Sequence, residues 1–271
     1  MVSSFKTVMD IFKLLDKSNC RACNEKTCLA FAAAVFQGKR PLSDCPRLDA
    51  ETLRQYGGLV EKKPTISDGM DDFVAQLKKQ IRKVDLAEAA TRTGGTFANG
   101  RLTLKVMGKD FHVYPDGKMA SEIHVNPWVA IPLLIYVMES AGLPVSGEWV
   151  PFRELKNGAE RNGLFVQRCE QPLKRVADIY TDLFEDMVHL FNGKRVKNLY
   201  EADISIVLYP LPLVPVLICY WKPDEGLGSS LNIFFDRTVE KNLGVDPLYS
   251  IIAGIVQMFE KISLRHGVPD A

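Results

Sequence analysis

Residues 203–221 read Asp-Ile-Ser-Ile-Val-Leu-Tyr-Pro-Leu-Pro-Leu-Val-Pro-Val-Leu-Ile-Cys-Tyr-Trp, and Leu231-Asn-Ile-Phe-Phe-Asp236 follows shortly after. Runs this short, rich in Ile, Val and aromatics and bounded by Pro and Gly, predict strands at 203–209, 214–221 and 231–236. Pro210, Pro212 and Pro215 interrupt the apolar stretch, and a membrane helix needs about 20 continuous apolar residues. The other strongly apolar stretch, 125–138, is short and contains Pro127 and Pro132. Gly226-Leu-Gly-Ser-Ser falls between two of the strands and reads as a hairpin turn.

Working outward, 102–106 and 111–114 alternate apolar and polar residues across Met-Gly-Lys-Asp, which predicts a hairpin, with a second turn at Pro115-Asp-Gly-Lys. Helices are expected at 70–92, 127–141, 173–191 and 247–264. In the first, Phe73, Leu77, Ile81, Val84 and Leu86 form the apolar side. The second has Asn126 as N-cap, Pro127 in its first turn and Gly142 as its stop. Strands and helices do not alternate regularly, so the expectation is α+β with a mainly antiparallel sheet.

Ahead of this domain, residues 61–69 (Glu-Lys-Lys-Pro-Thr-Ile-Ser-Asp-Gly) read as a linker, leaving 1–60 as a small helical domain and 70–271 as the larger one. In the small domain Phe5, Met9, Phe12 and Leu15 recur at helical spacing. A second helix is expected from Thr27 or Cys28 to Phe36, with Gly38 as its stop, followed by a loop over 39–44. The 271 residues carry a formal net charge of +1, which does not point to nucleic acid or to an acidic partner. The N-terminus lacks the apolar region of a signal peptide, so a cytoplasmic location is expected.

Cys20, Cys23, Cys28 and Cys45 crowd into the small domain, and Cys169 and Cys219 stand alone. The spacing is C-x2-C-x4-C-x16-C, with a helix between the third and fourth cysteines and Pro46 after the last. A [4Fe–4S] cluster takes four thiolates, and the start of a helix favours an anionic group. Structural zinc also accepts four thiolates, but it commonly uses two short C-x2-C knuckles or includes histidine, and the segment has neither. A disulfide pair fits poorly with the expected compartment. The spacing therefore favours the cluster, with zinc as the alternative.

Ser18-Asn-Cys-Arg-Ala-Cys-Asn-Glu-Lys-Thr-Cys-Leu-Ala-Phe-Ala, closing at Asp44-Cys-Pro, resembles the small [4Fe–4S] domain of the corrinoid iron–sulfur protein family of anaerobic one-carbon metabolism, and RnfB-type proteins have a similar domain. The resemblance covers about residues 10–50 and implies ligand roles for the four cysteines. Such domains usually have Pro where Asp16 stands and Gly where Arg21 and Asn24 stand. Residues ~70–265 resemble the DUF3786 family in Trp149-Val-Pro-Phe-Arg-Glu-Leu, Ala202-Asp-Ile-Ser, Tyr209-Pro-Leu-Pro-Leu-Val-Pro and Tyr220-Trp with Phe234-Phe-Asp. That resemblance implies no enzymatic activity.

The larger domain has neither G-x-x-x-x-G-K-[ST] nor H-E-x-x-H. Its histidines, 112, 124, 189 and 266, are isolated from one another. His124, Trp128, Trp149, Phe152, Arg153, Tyr220 and Trp221 are the candidate pocket for a large planar cofactor, against the plainer reading that they are core and corner residues. Joined to a cluster domain, they point to a carrier of low-potential electrons rather than a stand-alone catalyst. A corrinoid (cobalamin) is the expected acceptor and a redox protein the expected partner, with a homodimer as one arrangement. No D-x-H-x-x-G cobalamin signature is present. The alternative is a redox-sensing or adaptor module whose cluster controls docking.

Overall fold

In a computed structural model, the chain is described at residue 5 and over residues 7–57, 66–180, 182–197, 199–224 and 226–266. It forms two compact units, Met1–Asp71 and Asp72–Ala271. Much of the expected linker at 61–69 lies outside the described residues. Its last part, from Ile66, is helical.

Among the described residues, the first unit contains α1 (Val8–Phe12), α2 (Cys28–Phe36) and α3 (Ala50–Tyr56). α1 is shorter than the periodicity predicts, because Thr7 and Asp10 form a capping box that fixes its start. The unit buries Ile11 and Leu15, whereas Met9 is 49 % exposed. α2 starts where Thr27 accepts a hydrogen bond from the Ala30 N–H. It ends at Gly38 (φ 70), whose left-handed backbone turns Gly38 and Lys39 back to the carbonyls of Val35 and Ala34. Phe31, Ala32 and Val35 on α2 pack with Ile11, Leu15 and Leu42. Fully burying each larger side chain contributes about 1.5–3 kcal/mol.

α4 (Ile66–Ile81), which runs from the end of the first unit into the second, and α5 (Leu86–Thr93) replace the single helix expected at 70–92. The break is set by Asp85, whose carboxylate accepts the N–H groups of Ala87 and Glu88 and starts a new helix. A meander follows: β1 (Thr96–Ala98), β2 (Arg101–Val106), β3 (Lys109–Val113) and β4 (Met119–Ser121) pair in chain order, all antiparallel. α6 (Pro127–Glu139) has its cap where expected, with Asn126 accepting the Val129 N–H. Arg92 donates to the carbonyls of Val137 and Ser140 at the other end of that helix.

β5 (Trp149–Pro151) is followed by α7 (Asn162–Phe165), a π-helical turn (Val166–Glu170), α8 (Gln171–Ile179) and α9 (Leu183–Phe191). The helix expected over 173–191 is thus broken around Tyr180, whose carbonyl accepts the Leu183 N–H. β6 (Lys194–Arg195), β7 (Ile204–Leu211), β8 (Val214–Trp221) and β9 (Ser230–Asp236) complete the domain with α10 (Val239–Asn242) and α11 (Val245–His266). The second sheet has the order β5-β9-β8-β7-β6 and is antiparallel throughout. The fold is α+β.

One core joins both sheets to the helices of this unit. Tyr136 of α6 lies fully inside it. Its hydroxyl donates to the Thr93 carbonyl at 2.9 Å and accepts the Leu213 N–H at 3.1 Å, linking α5, α6 and the β7–β8 turn. Burial pushes the phenol up to about 12, so the neutral hydroxyl is the form the fold holds. Tyr136→Phe is expected to cost about 1–3 kcal/mol, since the Leu213 N–H loses its acceptor. Because the folded pKa is raised, the wild type is expected to lose stability as the pH rises from 10 through about 12. Denaturant titrations of both proteins at pH 7 and above pH 10 measure both effects.

Candidate functional site

The four N-terminal cysteines are held by backbone that the chain bends tightly. Lys17, Asn19, Arg21 and Asn24 have φ of 61, 51, 61 and 60, all in the left-handed region. The Asn19 N–H points at Cys28 Sγ at 3.4 Å, and Asn19 Oδ1 accepts the Cys28 N–H at 2.8 Å. Cys28 is the first residue of α2, where free N–H groups carry the positive end of the helix dipole.

Cys23, Cys28 and Cys45 are buried in the core of the first unit, and Cys20 is half-buried. All four are free of disulfides. The Cys20 thiol is held below its ordinary value, first by the Ala22 N–H and then by the Ser18 hydroxyl, with Arg47 adding to them. Two arginines tie the early loop to the Cys45 segment. Arg40 donates to the Cys23 carbonyl and to Asp44 Oδ2 at 2.9 Å, and Arg47 meets Asp16 at 3.2 Å. Among the described residues, no group of three or more His, Cys, Asp or Glu side chains is arranged to hold a single ion. A cubane asks for something different, because each thiolate binds its own iron at a separate corner. Buried free thiols with N–H groups aimed at their sulfurs are a donor set that fits such a cluster.

Arg21 shows what the departure from Gly costs. A non-glycine residue in the left-handed region is disfavoured by roughly 1–2 kcal/mol, of which Gly would return part through its own chain entropy. Arg21→Gly is expected to stabilise the first unit by about 0.5–1 kcal/mol. Hydrogen-exchange protection across residues 20–45 of the full chain measures it.

The candidate residues of the second unit separate into different places. His124 (exposed) and Trp128 (half-buried) line one groove of about 510 Å³ with Met107, Phe191, Met258 and Lys261. Gly254 shapes this groove, since a Cβ there would stand 2.9 Å from Trp128 Cβ. Trp149 and Trp221 lie on the opposite face of the five-stranded sheet, packed with Tyr209 and Phe234 over Val207, Leu217 and Cys219. Phe152 is 1 % exposed and stacks on Phe165 at 4.2 Å inside the main core. Arg153 is exposed. Tyr220 is buried in the main core, and its hydroxyl donates to Asp178 at 2.9 Å. The residues proposed for one planar pocket therefore do not surround one site. Among the described histidines, His112 meets Thr103 Oγ1 at 3.0 Å across β2 and β3, and His189 is exposed.

The sequence reading missed Asp16, Arg40 and Arg47. Arg40 and Asp44 flank the last cysteine segment, and their opposite charges were the available signal.

The profile of "Domain of unknown function (DUF3786)" matches residues 85–258, more than half of the chain. The chain belongs to the DUF3786 family. The profile described as "Putative Fe-S cluster" matches residues 15–47. The N-terminal part is similar to the acetyl-CoA decarbonylase/synthase complex subunit gamma of Methanothermobacter thermautotrophicus, at 39% identity over 54 residues, 20% of this chain and 12% of that protein. The same subunit of Methanopyrus kandleri is 39% identical over 66 residues, 23% of this chain and 14% of its own. That of Methanocaldococcus jannaschii is 40% identical over 43 residues, 16% and 9%. The chain thus spans less than a sixth of the length of these relatives. No solved structure matches it. Among the described residues, no helix is long and apolar enough to cross a membrane.

Proposed function

We propose that the chain is an electron-transfer protein of anaerobic metabolism, with one [4Fe–4S] cluster bound by Cys20, Cys23, Cys28 and Cys45. The observation that carries this reading is the set of three buried, unpaired cysteines in the core of one small unit, with N–H groups turned toward Cys20 and Cys28. The cluster, when bound, accepts and returns one electron at a time. The chain's own part is to supply thiolates, keep water from three of them and offer N–H donors to the sulfur charge.

The electrons are proposed to reach a corrinoid at the second unit, and the partner to be a redox protein of a larger complex. Support for the corrinoid comes from the resemblance of the cysteine segment and from the His124–Trp128 groove. That groove has the volume of an ordinary small-molecule pocket, so it takes one edge of a corrinoid rather than the whole. The aromatic and histidine candidates do not surround one site within a single chain.

Anaerobic purification with iron and sulfide analysis tests the first part. About four irons and four sulfides per chain are expected, and zinc in their place sinks it. Mixing with cobalamin tests the second. Co-elution and a changed corrinoid spectrum support it, and neither appearing rejects it. The adaptor reading draws on the sheet face of Trp149, Tyr209, Trp221 and Phe234, which is half-buried. A cluster that is lost in air together with a change of oligomeric state favours the adaptor over the carrier.

A further inference from the structure

Asp16 stands between a cysteine and an arginine. Its Oδ1 lies 3.9 Å from Cys28 Sγ and accepts the Ser18 N–H at 3.1 Å and the Ser18 hydroxyl at 2.9 Å. Its Oδ2 meets Arg47 Nη1 at 3.2 Å. The carboxylate is thereby oriented, with one oxygen on the sulfur side and one on the guanidinium side. Arg47 follows Cys45 by two residues, so the pair links the early loop to the last cysteine. A negative charge thus faces one proposed ligand, with a positive charge paired to it.

The other nearby charges are arranged differently. Arg40 is shared between Asp44 at 2.9 Å and Glu25 at 4.0 Å, and it addresses a cysteine carbonyl rather than a sulfur. Lys17 lies over the Phe12 ring, 5.7 Å from its centre. Arg21 is exposed between Cys20 and Cys23. Among the described charged side chains here, Asp16 stands 3.9 Å from a ligand sulfur, and Arg47 is the cation paired with it.

Resting on the cluster reading above, we propose that the Asp16–Arg47 pair sets the reduction potential of the cluster, Asp16 lowering it and Arg47 raising it. Reduction adds one negative charge to the cluster. A carboxylate against Cys28 opposes that electron, and the guanidinium paired with it favours it. At 3.9 Å the carboxylate acts well inside the Debye length of about 8 Å at physiological salt, so solvent ions screen it only in part. A merely structural ion pair behaves otherwise: removing either partner would loosen the same loop and move the cluster in the same direction.

The test is an EPR-monitored redox titration of the anaerobically purified full chain, with iron and sulfide measured on each sample. Asp16→Asn is expected to shift the midpoint to higher potential and Arg47→Gln to lower potential. The double variant should return toward the wild type, Arg47→Lys should hold the wild-type value, and high salt should shrink the single-variant shifts. Only loaded clusters give the signal, so a variant that loads poorly is still read. Midpoints that stay at the wild-type value, or that move the same way in both single variants, overturn the proposal while the cluster reading stands. A wild-type chain without iron and sulfide overturns both, and the metal analysis tells the two failures apart.

Discussion

Asp236→Ala is expected to destabilise the second unit by at least about 3 kcal/mol at pH 7. Asp236 ends β9 and is fully buried. Among the described residues, no cationic side chain lies within hydrogen-bond reach of it. Instead it accepts the Gly147 N–H at 2.6 Å, the Ser146 hydroxyl at 3.0 Å, the Thr238 N–H at 3.0 Å and the Thr238 hydroxyl at 2.6 Å. Hydrogen bonds to an ionised group contribute about 1.5–3 kcal/mol, and donors left unpaired in the interior cost a further penalty. Burial alone would raise the carboxyl, but the bonds from Thr238, Ser146 and Gly147 outweigh it and hold the group below its ordinary value. A depressed folded pKa gives stability that is present above the unfolded value of 3.8 and is lost as the pH falls through the folded one. Wild type and variant should therefore differ most near neutrality and converge in acid. Urea titrations at pH 7 and pH 3 decide it, and a gap that does not change with pH would show that the charge is not what holds the 146–148 segment to β9.

Where local chemistry sets an element, the sequence discloses it. The strand runs at 204–211, 214–221 and 230–236 are dense in β-branched and aromatic residues, and their pairing follows chain order. Asn126 and Pro127 mark the start of α6 as directly as the structure does. The break between α4 and α5 was also legible, because Asp85-Leu-Ala-Glu88 places an N-cap three residues ahead of an acid. Apolar periodicity running through it hid that signal. β5 and β6 were not legible. They have three and two residues, and they exist because the edges of β9 and β7 accept them.

The aromatic site shows a different failure. Side chains alternate along a strand, so adjacent Tyr220 and Trp221 must face opposite sides of the sheet. Tyr220 enters the main core with Val216 and Ile218, while Trp221 joins Leu217 and Cys219 on the other face. A reading that grouped the two in one pocket ignored that period. The cysteines escape this difficulty because their order along the chain already gives loop, helix start and return. What order could not give is backbone sign. The left-handed conformations at Lys17 and Arg21 belong to residue types that do not announce them as glycine would, whereas Asn19 and Asn24 are of a type that tolerates them.

Cys45→Ala is expected to remove most of the iron and sulfide from the chain and, with them, most of the stability of the first unit. Cys45 is 7 % exposed and follows the short 3-10 turn Leu42–Asp44, which Arg40 binds to the loop of Cys23. It brings the far end of the segment back toward the early cysteines, so under the proposed ligation its loss would leave one iron without a protein thiolate and the loop without its closure. The unit spans 71 residues and buries a small core. Cores of that size rarely supply more than about 3–5 kcal/mol, which is why small units so often depend on a metal. Faster proteolysis within residues 7–57 should accompany the loss of iron. Cys219→Ala is the control. Its thiol is fully buried between β-strands, raised by burial and in contact with Ser205 at 3.7 Å, an environment that favours the neutral thiol over a thiolate ligand. That variant should lose packing energy in the second unit and keep its full iron. If Cys45→Ala keeps its iron, or Cys219→Ala loses it, the ligand assignment fails, whatever the total metal content of the wild type.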